Sequence, residues 1–127
     1  MTQRPHPVAD RPVSAPLLPL RLPEEISRLK GEADWTGGKR SITLSKQGGL
    51  RVVLMALRAG ATTGEHSAAG AITVHVLEGR IGFVAAGQTK ELMAGDIVAL
   101  EAGLPHDVQA VDESVFLLTL GQAAAKA

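Results

Sequence analysis

Histidines 66 and 75 stand nine positions apart in GATTGEHSAAGAITVHVLEG (residues 60–79), and His106 follows in GLPHDVQA. Imidazole is the commonest protein ligand for transition metals and can also work as an acid, a base or a hydrogen-bonding anchor. The chain contains no cysteine. That removes thiol nucleophiles, disulfides and thiolate ligands, leaving imidazole, carboxylate and weaker oxygen donors for any metal. Three acids lie close in sequence to these histidines. Glu65 is a charged residue in a turn and is expected to be solvated, Asp107 alternates away from His106 along a strand, and Glu101 sits at a strand end where a surface role is expected. The fourth histidine, His6, falls in a proline-rich leader and is treated as incidental.

The elements that must position these residues are short and β-branched. ITLSK, LRVVLMALRA, AITVHVL, RIGFVAA, TKELMA, DIVAL, HDVQAV and SVFLLTL are separated by GG, AGATTG, EG, AG, AGD, AGLP and DE, the pattern of an all-β sandwich or barrel. The pairs Glu78-Gly79 and Ala86-Gly87 are expected to be hairpin turns between antiparallel strands. Ahead of the strands, PEEISRLKG (23–31) has Pro23 at its first position, acids in the first turn, Arg28 and Lys30 in the last, and Gly31 as a stop. Leu22, Ile26 and Leu29 form one stripe, so this short helix must lean on a larger body, with Trp35 pinning it down. Six of the seven prolines lie in the first 23 residues. The expected organisation is a proline-rich arm (1–22), loose or packed on a partner subunit, then one domain (23–121, core 50–120) and a flexible tail (122–127).

The spacing of residues 60–106 resembles the cupin superfamily, small β-barrels of jelly-roll architecture. That family's first motif runs Gly, five residues, His-x-His, three or four residues, Glu, six residues, Gly. Here Gly60, His66, Ala68, Ile72 and Gly79 occupy those positions. The second motif, Gly, five residues, Pro-x-Gly, two residues, His, is matched by Gly95, Glu101-Ala102-Gly103 and His106. The resemblance covers roughly residues 50–120 and implies an all-β cupin jelly-roll barrel, carrying the short N-terminal helix and the arm as accessories. It also implies a divalent ion, Fe(II), Mn(II), Ni(II) or Zn(II), at the barrel mouth, held in the family by two histidines and a glutamate from the first motif and a histidine from the second. Two of those positions have lost their donors, because Ala68 replaces a histidine and Ile72 the glutamate. His66 and His106 remain, with a third donor from Glu65, water or His75, the last only if a bulge near Gly70 re-aims the strand. In a regular strand an odd offset from Ile72 sends His75 to the opposite face.

Three functional readings stay open. One is a metal-dependent enzyme, such as an oxygenase or isomerase, whose ion at His66 and His106 activates oxygen or polarises a small oxygenated substrate. A second is a binding or sensory protein with an apolar small-molecule pocket lined by Ile72, Val74, Val76, Phe83, Val108 and Phe116. The third is a structural module in which Val53, Met55, Leu57 and Leu77 form an outward apolar face that a homodimer would cover. The 127 residues carry 13 basic and 13 acidic side chains, intermixed, and the aromatic residues are one Trp and two Phe. Neither a nucleic acid nor a membrane is therefore an expected partner. No run of 18 apolar residues occurs, and prolines break the leader, so a soluble, cytoplasmic protein is expected.

Overall fold

The computed structural model describes residues 12–32 and 35–122. His6 and the segment 123–127 lie outside that range, as does the first half of the arm. Helix α1 spans Leu22–Lys30 and is followed by a 3-10 turn at Thr36–Gly38. Eight strands succeed it: β1 (Lys39–Gln47), β2 (Leu50–Leu57), β3 (Ile72–Glu78), β4 (Arg80–Ala85), β5 (Gln88–Met93), β6 (Ile97–Leu100), β7 (His106–Ala110) and β8 (Ser114–Leu120). They form a five-stranded sheet in the order β1-β2-β8-β3-β6 and a three-stranded sheet in the order β5-β4-β7. Every pairing is antiparallel.

Two cores follow from the period of two along each strand. Between the sheets, Leu57, Ile72, Val74, Val76 and Phe116 of the larger sheet meet Ile81, Phe83, Val108 and Ala110 of the smaller one. On the outer face of the larger sheet, Ile42, Leu44, Leu54, Ala56 and Val115 pack against Leu29 of α1, with Leu22, Ile26 and Trp35 at the margin. The helical stripe and its role as a cover agree with the sequence pattern. Trp35 is held by its indole N–H donating to the Glu32 carbonyl (2.9 Å) and by the Arg58 guanidinium 4.2 Å above its ring.

Val53, Met55, Leu57 and Leu77 do not form the expected outward face. Val53, Met55 and Leu57 point into the space between the sheets, where Met55 pairs with Phe116 and Val53 with Leu118, and Leu77 packs beneath the helix. The described part of the arm is tied to its own chain. Lys46 N–H donates to the Val13 carbonyl (2.8 Å), Ala15 N–H donates to Gln47 Oε1 (2.9 Å), and Leu20 joins the outer core.

One turn differs from expectation. Ala86 and Gly87, both at positive φ, make the β4–β5 hairpin as anticipated. Glu78-Gly79 instead marks a corner, because β3 and β4 belong to different sheets. A tight turn fits both arrangements, and only the choice of partner strand separates them. The corner is locked by buried Ser114, whose hydroxyl accepts from Arg80 N–H (3.0 Å) and donates to the Asp112 carbonyl (2.7 Å). Gly79 (φ 83°) has no room for a Cβ, which would meet the Glu113 carbonyl and Ser114. Gly79→Ala should therefore cost about 3 kcal/mol, combining left-handed strain with overpacking. Gly87→Ala, with open space around it, should cost about 1 kcal/mol. Urea denaturation of the two variants measures the difference, and equal losses would contradict the corner packing.

Candidate functional site

The segment from Gly60 to His66 runs along the free edge of β7 and extends the smaller sheet. Gly60 N–H donates to the Ala110 carbonyl and Thr63 N–H to that of Val108. His66 and His106 exchange both backbone hydrogen bonds, at 3.0 and 2.8 Å. Directly opposed residues of an antiparallel pair send their side chains to the same face. The two rings accordingly lie edge to face, with centroids 4.4 Å apart. Forty residues of chain separate them, and the barrel closes that gap.

Each ring is oriented in the same way. Nδ1–H of His66 donates to the Gly64 carbonyl (3.0 Å), and Nδ1–H of His106 donates to the Leu104 carbonyl (3.1 Å). A carbonyl can only accept, so this geometry puts the proton on Nδ1 and leaves the Nε2 lone pair of each neutral ring available for a ligand. His106 is buried and stacks on Phe83 at 5.9 Å, whereas His66 is exposed. One ring is a fixed wall and the other a rim.

The remaining expected donors are elsewhere. His75 pairs with Leu117 on one side and Ile97 on the other, in a cross-strand row that continues through Leu54 to Ile42 of the outer core. It thus lies on the face of the larger sheet opposite to His66 and His106. The irregularity that might have re-aimed it falls between Val76 and Glu78, after His75. Glu65 and Glu101 are exposed. Asp107 accepts from the Thr63 hydroxyl (3.2 Å) and from Gln109 (3.3 Å), on the strand face away from His106. Among the described residues, no three His, Asp or Glu side chains are placed to hold one ion. A divalent catalytic centre generally needs three protein donors with an open position. The residues present do not fit the family's divalent ion.

The expected apolar pocket is also filled. Ile72, Val74, Val76, Phe83, Val108 and Phe116 all belong to the packed inner core. The cavity among them, bounded by Met55, Thr63, His66, Val74, His106, Val108, Phe116 and Leu118, measures about 10 Å³. That is room for roughly one water-sized occupant. An organic ligand does not fit.

Space opens instead just outside the rings. A groove of about 370 Å³ is lined by Thr36, Lys39, Arg40, Ser41, Met55, Thr63 and His66. Lys39 and Ser41 stand on the inner side of β1, opposite Leu57 and Met55 in the register. No carboxylate lines this groove. Arg40 is bonded to Glu32 at 2.8 Å. The sequence reading missed these residues, since β1 precedes the stretch that carries the resemblance. A signal was available in the alternation of Lys39, Ser41 and Thr43 with Ile42 and Leu44. A larger depression of about 630 Å³ beside Gly48, Gly70 and Gln122 carries Lys46 and Arg51 and has neither histidine nor acid in its lining.

Residues 53–120, more than half of the chain, match the family model for the cupin domain. The chain belongs to the cupin family. Solved structures agree with this cupin architecture. A conserved protein of unknown function from Streptococcus pyogenes is 27% identical, with a TM-score of 0.65 over 70% of this chain and 78% of that one. A cupin superfamily protein from Desulfitobacterium hafniense is 18% identical, with a TM-score of 0.66 over 72% and 83% of the two chains. An RmlC-like cupin from Shewanella frigidimarina is 23% identical, with a TM-score of 0.65 over 68% and 78%. No match is found among curated proteins. No helix among the described residues is long and apolar enough to cross a membrane.

The ring orientation leads to a direct expectation. Long-range 1H–15N spectra of the neutral imidazoles should show both His66 and His106 protonated at Nδ1, with Nε2 bare. An Nε2–H signal from either ring would contradict the arrangement.

Proposed function

We propose that this cupin is a binding protein for a small carboxylate-bearing metabolite, held at the mouth groove. The observation that carries this reading is the lining itself. Lys39, Ser41, Thr63 and His66, with Arg40 at the margin, line about 370 Å³ without an acidic side chain. That volume suits a small metabolite, for which a few placed polar groups set orientation while an apolar wall, here Met55, contributes burial. Lys39 supplies a point charge. Arg40 is already paired with Glu32, so its part is to shape the rim while Lys39 carries the anion. Ser41 adds a hydroxyl, and Nε2 of His66 supplies a lone pair that accepts from a ligand hydroxyl, or donates once protonated. The reading keeps the sensory or binding alternative but moves the ligand from the interior to the rim. The cavity between the sheets, about 10 Å³, is too small for such a metabolite.

The single tryptophan reports on the groove. Trp35 immediately precedes Thr36 of the lining, so its emission should shift when the groove fills. Titration with small hydroxy- and dicarboxylates should give a saturable change, accompanied by heat in calorimetry, and a neutral polyol of equal size should give neither. Lys39→Gln should weaken the binding about tenfold, on the order of 1.4 kcal/mol. Equal affinity for the polyol and the acid, or no effect of Lys39→Gln, would defeat the proposal.

A further inference from the structure

We infer that the depression beside the β1–β2 turn is a binding site for a small phosphate monoester, whose dianion is held by Lys46 and Arg51. The two cations are register partners across β1 and β2, and Arg51 is in turn the partner of Leu120 on β8. Opposed residues of an antiparallel pair share a face, so one cross-strand row runs lysine, arginine, leucine along about 630 Å³ of open space. Like charges set directly opposite each other repel. Among the described residues, no acid lines this space and no ion pair includes Lys46 or Arg51. An anion seated between the two removes the repulsion and is attracted by both charges.

The charge pattern selects the ligand. Arg51 offers a planar fork that matches two oxygens of one phosphate, and Lys46 adds a mobile point charge. A phosphate monoester carries about −1.5 to −2 at neutral pH and so matches both cations, whereas a monocarboxylate matches one. Beyond the cations the lining is Leu50, Ala68, Ala69 and Leu120, with the Gln122 amide beside them. That surface suits an uncharged, partly apolar body. No aromatic side chain lines the space, so it has no platform on which a nucleobase could stack. The walls are held by main-chain contacts. Gly70 approaches the Gly121 carbonyl too closely for any Cβ, and Gly121 N–H donates to the Ala71 carbonyl (2.9 Å). The arm fastens the end of β1 through Lys46 N–H on the Val13 carbonyl and Ala15 N–H on Gln47. A site fixed in this way has little backbone freedom left to lose when a ligand arrives.

This site shares no lining residue with the carboxylate groove. Lys39 and Lys46 stand near opposite ends of β1, about 20 Å apart at a strand rise of roughly 3.3 Å per residue. Calorimetric titration of the full chain with glycerol 3-phosphate, inorganic phosphate and glycerol tests the inference. Glycerol 3-phosphate should bind saturably, inorganic phosphate should compete with it, and glycerol should not bind. The amide signals of Gly48, Gly49, Gly70 and Gly121 should move in 1H–15N spectra as the site fills. Lys46 and Arg51 are exposed, so Lys46→Gln and Arg51→Gln should keep the parent's circular dichroism, and each should weaken glycerol 3-phosphate at least tenfold. Lys39→Gln in the groove and Lys90→Gln on the exposed β5 should bind it as the parent does. No binding of glycerol 3-phosphate, an affinity unchanged by both Lys46→Gln and Arg51→Gln, or an equal loss in Lys90→Gln, which marks general charge attraction, would overturn the inference.

Discussion

Two reciprocal backbone hydrogen bonds join His66 to His106, and the mouth of this cupin is organised around them. Through them an irregular loop becomes a fourth, short edge to the smaller sheet, continuing the register set at Gly60 and Thr63. The imidazoles are neighbours because their backbones are paired, and no attraction between the rings is needed to bring them together. The same local geometry turns each Nδ1 back onto a carbonyl two residues earlier. Position and tautomer are thus both set by main-chain chemistry, which tolerates wide changes in the surrounding side chains.

Strand parity distributes everything else. Along β3, Ile72, Val74 and Val76 enter the inner core, and Thr73, His75 and Leu77 go to the other face. A histidine in the middle of a strand has no middle option, since successive side chains alternate sides. His75 is committed to the outer row with Leu117 and Leu54, and the irregularity in β3 comes too late to change that. On β2 the same rule sends Met55 inward and Leu54 under the helix. Both faces of the larger sheet are therefore covered within one chain: Met55 and Leu57 face the smaller sheet, and Leu77 lies beneath α1.

With Ala68 and Ile72 in place of a histidine and a glutamate, no carboxylate lines the groove or the small cavity beside the rings. What surrounds the rings is apolar on the inside and basic with hydroxyls on the outside. An anion at the rim is the occupant we propose for such a lining, because charge is costly to bury unless it is compensated nearby.

The sequence by itself determined the strands, the helix with its stripe, the cupin resemblance and the positions of His66 and His106, because period-two and helical patterns and motif spacings are local properties of the chain. It also held the reason His75 should turn away, in its odd offset from Ile72. What only the tertiary structure decided was which strands become partners. That choice made Glu78-Gly79 a corner between sheets, covered the outer face with α1, closed the interior to about 10 Å³, and set β1 against the loop 60–66 to open the groove at Lys39 and Ser41. Cavities and neighbours arise from contacts between residues far apart in the chain, and no local pattern encodes the volume left between two packed sheets.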